Sequence, residues 1–219
     1  GTAASAQATT ASVDNMKLIR DGKADVAFTL ADTAFDAVNG KGSFASPEKP
    51  SDAKALAVLY SNLTHLVVKD SGGINAVPDL KGKRVSMGSA GSGTEIMALR
   101  VLEAVGIDGK KDIKQERLGA SESANAIKDR KIDAFFWIGG VPTAALTDLA
   151  ATPGVKMKLL DLAEYADAMN KKYGPLYTKG TIPAGSYPGM DKPAAIIDVW
   201  NVLVTSDKMS DPMAYNILK

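Results

Sequence analysis

The residues best suited to chemistry lie in one short run, Gly88-Ser89-Ala90-Gly91-Ser92-Gly93-Thr94-Glu95. Its glycines let the backbone turn tightly and come close to a ligand. A helical pattern opens at Thr94. The free N–H groups of a helix's first turn, together with its dipole, favour an anion there. Ser89, Ser92 and Thr94 add hydroxyls. Ser and Thr also cap ordinary helices, but three glycines and three hydroxyls between Gly88 and Thr94 exceed what a cap needs. The run predicts an anion cradle at Gly91, Ser92, Gly93 and Thr94, with Ser89 beside it.

The cradle lacks reactive parts. A P-loop needs Lys just before its Ser/Thr, and Gly93 stands in that place. The dinucleotide fingerprint fails because Ile96 occupies the position of its third glycine. Neither Ser89 nor Ser92 lies in a G-x-S-x-G elbow. The chain has no cysteine and one histidine, His65, flanked by strand residues. A transition-metal site is therefore not expected, and neither is a cofactor. The enzymatic rival would set His65 and Asp32 to acid–base work. Asn62-Leu63-Thr64 has the form of a glycosylation sequon, a triplet that chance often supplies.

The elements that must position the cradle can be read from periodicity. Of 219 residues 45% are hydrophobic, spread along the chain and sufficient for a core, and the net charge is +1. Acids and bases interleave, so no basic nucleic-acid surface is expected. No window approaches the ~20 apolar residues of a membrane span. The opening Gly1-Thr2-Ala3-Ala4 has neither the charged nor the apolar part of a signal peptide. Two stretches read alike. Ile19–Phe28 and Ile127–Phe136 each leave an amphipathic helix, turn at a short charged segment and enter an apolar strand. Small-residue corners follow, at Ala31-Asp32-Thr33-Ala34 and at Gly139-Gly140-Val141-Pro142. They predict two similar α/β lobes.

Between the repeats, Leu56–Tyr60 and Leu63–Lys69 predict two strands, Arg84–Met87 a buried strand, and Thr94–Val105 a helix stopped by Gly106. Ile113–Leu118 predicts a strand, Leu162–Tyr173 a helix, Gly180–Pro193 a loop and Ile196–Val204 a strand. Strand and helix alternate, so the sheets should be largely parallel. Ser12 is a candidate N-cap for a helix carrying Met16 and Ile19.

Together these elements resemble the solute-binding proteins of TRAP transporters, in the TAXI (TRAP-associated extracytoplasmic) subgroup. The matching runs are Ala11–Asn15 with Gly22–Asp25, Asp79–Val85, Gly91–Thr94, Lys131–Ala134 with Gly139–Pro142, and Ile182–Gly189. They occur in family order across almost the whole chain. Asp-Leu-x-Gly-Lys alone is weakly specific; its combination with Gly-Ser-Gly-Thr-Glu and Ile-Pro-Ala-Gly-x-Tyr-Pro-Gly is strong. The resemblance implies a two-lobed periplasmic-binding-protein fold of type II, the Venus-flytrap kind. It implies a periplasmic receptor that closes on a small carboxylate such as glutamate or a related dicarboxylate and delivers it to the membrane subunits of a transporter. Family members begin with a further strand and end with a further helix, so the chain resembles one trimmed at both termini.

The expected division is residues 1–64 plus 196–219 for lobe one and 65–195 for lobe two. Ser12, Asn15 and Asp32 would face the ligand from lobe one. Gly91, Ser92, Gly93, Thr94, Gly139 and Gly140 would face it from lobe two. Tyr60, Thr64, His65 and Tyr187 should lie near the hinge or rim. None of the five arginines (Arg20, Arg84, Arg100, Arg117 and Arg130) falls inside the cleft motifs. Arg20 and Arg130 sit in charged turns and should be exposed. An anionic solute is then expected to be held by backbone N–H groups and hydroxyls, in a monomer with no nucleic-acid partner. A second rival is the effector-sensing domain of a transcription regulator.

Overall fold

In the computed structural model residues 3–219 are described; Gly1 and Thr2, which open the expected first lobe, lie outside the described residues. Ser12–Arg20 forms helix α1, Val26–Leu30 strand β1 and Ala31–Val38 helix α2. Val13, Met16 and Ile19 recur every three residues in α1, and all three are buried, as a helix with one core-facing stripe requires.

Ala53–Lys69 is strand β2, followed by β3 (Arg84–Ser86), α3 (Gly93–Ala104), β4 (Lys114–Glu116), α4 (Ala120–Lys128) and β5 (Ala134–Gly139). Next come α5 (Ala144–Ala151), β6 (Met157–Leu159), α6 (Ala166–Tyr173), β7 (Tyr177–Ile182), β8 (Ala194–Ser206) and α7 (Asp211–Leu218). Both repeats are thus helix–strand–helix units, α1-β1-α2 and α4-β5-α5. Among the described residues no helix is long and apolar enough to cross a membrane.

The strands form one sheet in the order β1-β8-β2-β5-β3-β4, with β6 on β2 and β7 on β8. The expectation of a largely parallel sheet is corrected here. Among the described residues only β3–β4 and β3–β5 pair in parallel; every other ladder is antiparallel. A helical crossover returns a strand parallel to its predecessor, and that logic governs only the β3–β4–β5 region. The spine is instead the long ladder of β2 against β8, running from Ala53↔Ser206 to Leu63↔Asp198.

Two strand expectations change with it. The strands read at Leu56–Tyr60 and Leu63–Lys69 are one 17-residue strand. Ser61 and Asn62 looked like a break, but β8 pairs with both and carries the strand through. That strand also runs straight across the expected lobe boundary after residue 64. The loop read at Gly180–Pro193 starts later, because β7 continues to Ile182 on β8.

Side chains alternate across the sheet. Leu66 and Val68 join Val85, Met97, Val101 and Val199 on one face. Val67 joins Ile127, Phe135, Leu146 and Ile196 on the other. A third core gathers Val13, Met16, Ile19 and Phe44 against Val202 and Val204 of β8.

Candidate functional site

The Gly-Ser run forms the corner between β3 and α3. Gly88 sits at φ +88, and a Cβ there would lie 2.6 Å from the Thr94 side chain. Only glycine fits both the backbone and the space. Ser92 is the N-cap of α3: its hydroxyl accepts the Glu95 N–H at 3.2 Å. Glu95 reaches back to accept the Gly91 N–H at 3.0 Å and binds Arg117 through its other oxygen at 2.6 Å. This is close to a capping box, so part of the run's polar capacity serves the helix.

The corner is pressed against the first repeat. A Cβ on Gly93 would lie 2.4 Å from Leu30 and 2.8 Å from the Ser12 hydroxyl. The Val13 N–H donates to the Gly91 carbonyl at 3.0 Å. The Ser12 hydroxyl accepts the Leu30 N–H at 3.1 Å, fixing β1 beside α1. Ser12 is therefore not the N-cap of its helix. That position is Ala11, at φ 104, and it offers no capping side chain.

A cavity of about 160 Å³ lies at this junction. Ser12 and Leu30 wall it from the first repeat, and Gly88, Ser89, Ser92, Gly93 and Thr94 from the glycine corner. Leu118, Gly119, Ala120, Trp137 and Ile138 complete one side, and Asn62 and Asn201 of the two long strands complete the other. Three helices begin at its wall: α1 at Ala11–Ser12, α3 at Ser92–Gly93 and α4 at Gly119–Ala120. Among the described residues no acidic or basic side chain lines it. Asn62 Nδ2 and Asn201 Oδ1 are buried without a hydrogen-bond partner. Buried polar atoms are rarely left so.

A wider, open groove of about 560 Å³ runs along α1 between Gln7 and Lys23. One helix and the segment before it wall that groove, and no sequence-predicted site residue reaches it.

Of the sequence-predicted residues, the cavity wall holds Ser12, Ser89, Ser92, Gly93 and Thr94. The others lie elsewhere. Gly91 backs the corner, with both backbone groups engaged as described. Asn15 donates to the Phe28 carbonyl at 2.8 Å and accepts the Thr9 hydroxyl at 2.6 Å. Thr64 is fully buried two residues beyond Asn62, with its hydroxyl unpartnered. Tyr60 is 52% exposed on β2. Gly139 lies under the Trp137 indole, about 3 Å from where a Cβ would sit. Gly140 is exposed, and its carbonyl accepts the Thr143 hydroxyl.

His65 and Asp32 do not form a pair. His65 is fully buried, with Nδ1 2.9 Å from the Leu63 carbonyl and Nε2 2.9 Å from the Tyr187 hydroxyl. Burial pushes its pKa down to about 4, against a smaller upward pull from the Leu63 carbonyl. Tyr187 is 1% exposed and also accepts the Thr143 N–H. Asp32 is fully buried among other partners: it accepts the N–H of its neighbour Thr33 at 2.7 Å and the Tyr177 hydroxyl at 2.9 Å. Arg100 completes that group. Its guanidinium donates to Tyr177 at 2.6 Å, pairs with Asp36, lies 3.6 Å from Asp32 and stacks on the Tyr173 ring at 3.9 Å. Burial raises the Asp32 and Asp36 carboxyls, and Arg100 opposes that rise. Arg130 is exposed as expected, whereas Arg20 is drawn down onto Asp21 and Glu48.

Sequence reasoning missed Asn62, Asn201, Trp137 and the start of α4. A signal existed for the asparagines: each is a lone amide inside an otherwise β-forming run. Its meaning needed the pairing of β2 with β8.

The model of the NMT1-like family matches residues 1–219. Among solved structures the chain is similar to the alkanesulfonate-binding protein SsuA from Xanthomonas axonopodis pv. citri bound to MOPS. The identity is 16% and the TM-score 0.53, over 96% of this chain and 58% of that one. It is also similar to the arginine-bound form of truncated ArgBP from T. maritima, with 11% identity, TM-score 0.51 and coverage of 95% and 75%. The periplasmic sulfonate-binding protein SsuA from Methylobacillus flagellatus KT gives 17% identity and TM-score 0.50, over 87% and 44%. At such identities the likeness is one of fold. The mixed α/β architecture of eight strands and seven helices, counted among the described residues, matches two-lobed periplasmic-binding-protein structures. The chain spans 58% and 44% of the lengths of the two SsuA proteins.

Proposed function

The chain belongs to the NMT1-like family, and from that premise we propose that it is the solute-binding receptor of a TRAP-type secondary transporter. It holds a small organic anion in the cavity at the glycine corner and passes it on unchanged. The observation that carries this reading is the cavity itself: three helix N-termini meet around a space with unpartnered buried amides and no charged side chain. Each helix start favours an anion by roughly 0.3–1 kcal/mol, up to ~2 when partly buried. A charge-assisted hydrogen bond adds roughly 1.5–3 kcal/mol. Together these reach the scale of micromolar affinity, about −8 kcal/mol, without an arginine clamp.

The TRAP assignment and its TAXI subtype rest on the motif resemblance, from Gly91-Ser92-Gly93-Thr94 to Ile182–Gly189. In that role the protein works in the periplasm, as a monomer, with membrane transporter subunits as partners. The two lobes are residues 1–64 plus 196–219 and residues 65–195, hinged where β2 and β8 pass between them. Anion-holding groups are Ser12, Ser89, Ser92, Gly93 and Thr94, and Asn62 and Asn201 line the same cavity.

The test is release of co-purified solute. Denaturing the purified protein and analysing the supernatant by mass spectrometry should yield a small organic anion in near-equimolar amount. Catalytic turnover of a carboxylate that vanishes in His65→Ala would overturn the reading and promote the enzyme.

A further inference from the structure

The charged cluster around Arg100 joins segments that the receptor reading puts on opposite sides of the cleft. We infer that it is an interlobe latch: it parts when the cavity opens to a solute and re-forms when the cavity closes. The inference rests on the two-lobed receptor reading above.

Three observations carry it. The first is where the partners come from. Asp32 and Asp36 stand on α2, within residues 1–64, and Arg100 stands on α3, within residues 65–195. The guanidinium pairs with Asp36 and lies 3.6 Å from Asp32. Among the described residues every other ion pair stays within one lobe. The second is that each half is held by its own lobe. On one side the Tyr173 ring stacks on the guanidinium at 3.9 Å, and the Tyr177 hydroxyl accepts from it at 2.6 Å. On the other, Asp32 accepts the Thr33 N–H at 2.7 Å, and Asp36 is backed so closely by Gly42 that a Cβ there would lie 3.1 Å from its carboxylate. Halves ordered in advance meet at little further cost. Parted, the charges return to water and recover the hydration that burial takes from them. The cluster can therefore hold the lobes together and still let go. The third is mechanical. Helix α3 starts at the cavity, where Gly93 is pressed against Leu30 and Ser12 of the other lobe. Arg100 lies about 9 Å further along the same helix, at 1.5 Å per residue. Domains hinge as packed units, so drawing the glycine corner off Ser12 and Leu30 draws Arg100 off Asp36.

The interlobe distance tests this without any solute. The chain has no cysteine, so spin labels attach only where cysteine is introduced. Lys23→Cys in lobe one and Lys171→Cys in lobe two, both exposed, report the distance by double electron–electron resonance. The labelled protein should rest mostly at the shorter of two distances. Asp36→Asn and Tyr177→Phe should each raise the open-to-closed ratio about fivefold or more, the change that ~1 kcal/mol makes. Asp133→Asn breaks the Arg84 pair inside lobe two and should leave the ratio as it was. Gly93→Leu is a wedge between corner and first repeat, and it shows whether the lobes hinge at all. If the wedge lengthens the distance and neither Asp36→Asn nor Tyr177→Phe does, the inference is overturned: the cluster is core packing in a receptor that still hinges. It is overturned equally if Asp133→Asn opens the lobes as far as Asp36→Asn. If neither the wedge nor the cluster variants lengthen the distance, the two-lobed reading falls and takes the inference with it.

Discussion

Helix α3 carries two polar regions that obey opposite rules. At its start, around Thr94, the cavity is neutral and some of its hydrogen-bonding atoms are unspent. About 9 Å further along the axis, at 1.5 Å per residue, Arg100 sits in a buried cluster in which every charge meets a partner. The cluster ties α2 to α3 and β7, so its charges hold the fold together. In the cavity wall, Asn62 Nδ2 and Asn201 Oδ1 have no hydrogen-bond partner. A buried polar group that is satisfied serves the architecture, and an unsatisfied one in a cavity wall is open to a different use. Asp32 and Asn62 illustrate the two cases.

The largest expected effect breaks the satisfied side of this comparison. Arg100→Ala leaves Asp32 and Asp36 buried against each other without their cation. Removing one partner of a buried pair costs about 3–5 kcal/mol, read as a lowered urea midpoint. A loss under about 1 kcal/mol would mean that the cluster is solvated in solution and that the contrast with the cavity is overdrawn.

His65 gives the next effect, through pH. Its folded pKa of about 4 lies below its ordinary 6.5, so the unfolded chain binds the extra proton first. The stabilising contribution is complete above pH 6.5 and fades as pH falls toward 4. It totals about 3 kcal/mol at 1.36 kcal/mol per unit, most of it gone by about pH 5. Asp32 and Asp36 titrate the other way: raised carboxyls lose stability as pH rises through their folded pKa. The measurement is therefore a difference, with the urea stability of wild type and His65→Phe followed from neutral pH downward. Wild type should fall more steeply; parallel curves would place His65 in contact with water.

Thr94→Val sharpens the unsatisfied side. It removes a hydroxyl from the first turn of α3 without changing the side chain's size. Affinity for the bound anion should drop about tenfold, or ~1.4 kcal/mol, at a nearly unchanged melting temperature. Calorimetry and a thermal melt on the same sample separate the two. Unaltered affinity would remove Thr94 from the site.

Residue types and spacing reveal the local half of this picture. The Val13–Met16–Ile19 stripe marks α1, and the crowding of glycine and serine between Gly88 and Thr94 marks the corner, because both signals lie within a few residues. Both repeats fold as helix–strand–helix units for the same reason. The antiparallel spine is not visible in that way: Ala53↔Ser206 is a pairing between distant segments. Nothing adjacent to Asp32 announces Arg100 or Tyr177, so a corner residue that looked free for ligand turns out to be occupied. Asn62 and Asn201 went unread as site residues because strand patterns show which residues alternate, and only the fold shows that these two line a cavity.

The smallest effect has the opposite sign from the others, and for that reason tests the comparison most directly. If Asn62 Nδ2 is kept for a ligand, the empty protein bears its cost. An unsatisfied buried polar group costs about 1–3 kcal/mol. Leu keeps the branched outline of Asn at a larger volume and has no donor, and Leu63 and Leu66 on the same strand with Ile138 on β5 show that the sheet accommodates apolar side chains. Part of the gain is offset by fitting a branched side chain into a space shaped for a flat amide. Asn62→Leu should therefore raise ligand-free stability by about 1 kcal/mol, a melting temperature roughly 2–4 °C higher, while affinity for the bound anion falls. Stability and binding moving apart is the signature of a residue held for function. If Asn62→Leu lowers the melting temperature instead, the amide is part of the architecture, and the division between spent and unspent polar groups fails at the residue that defines it.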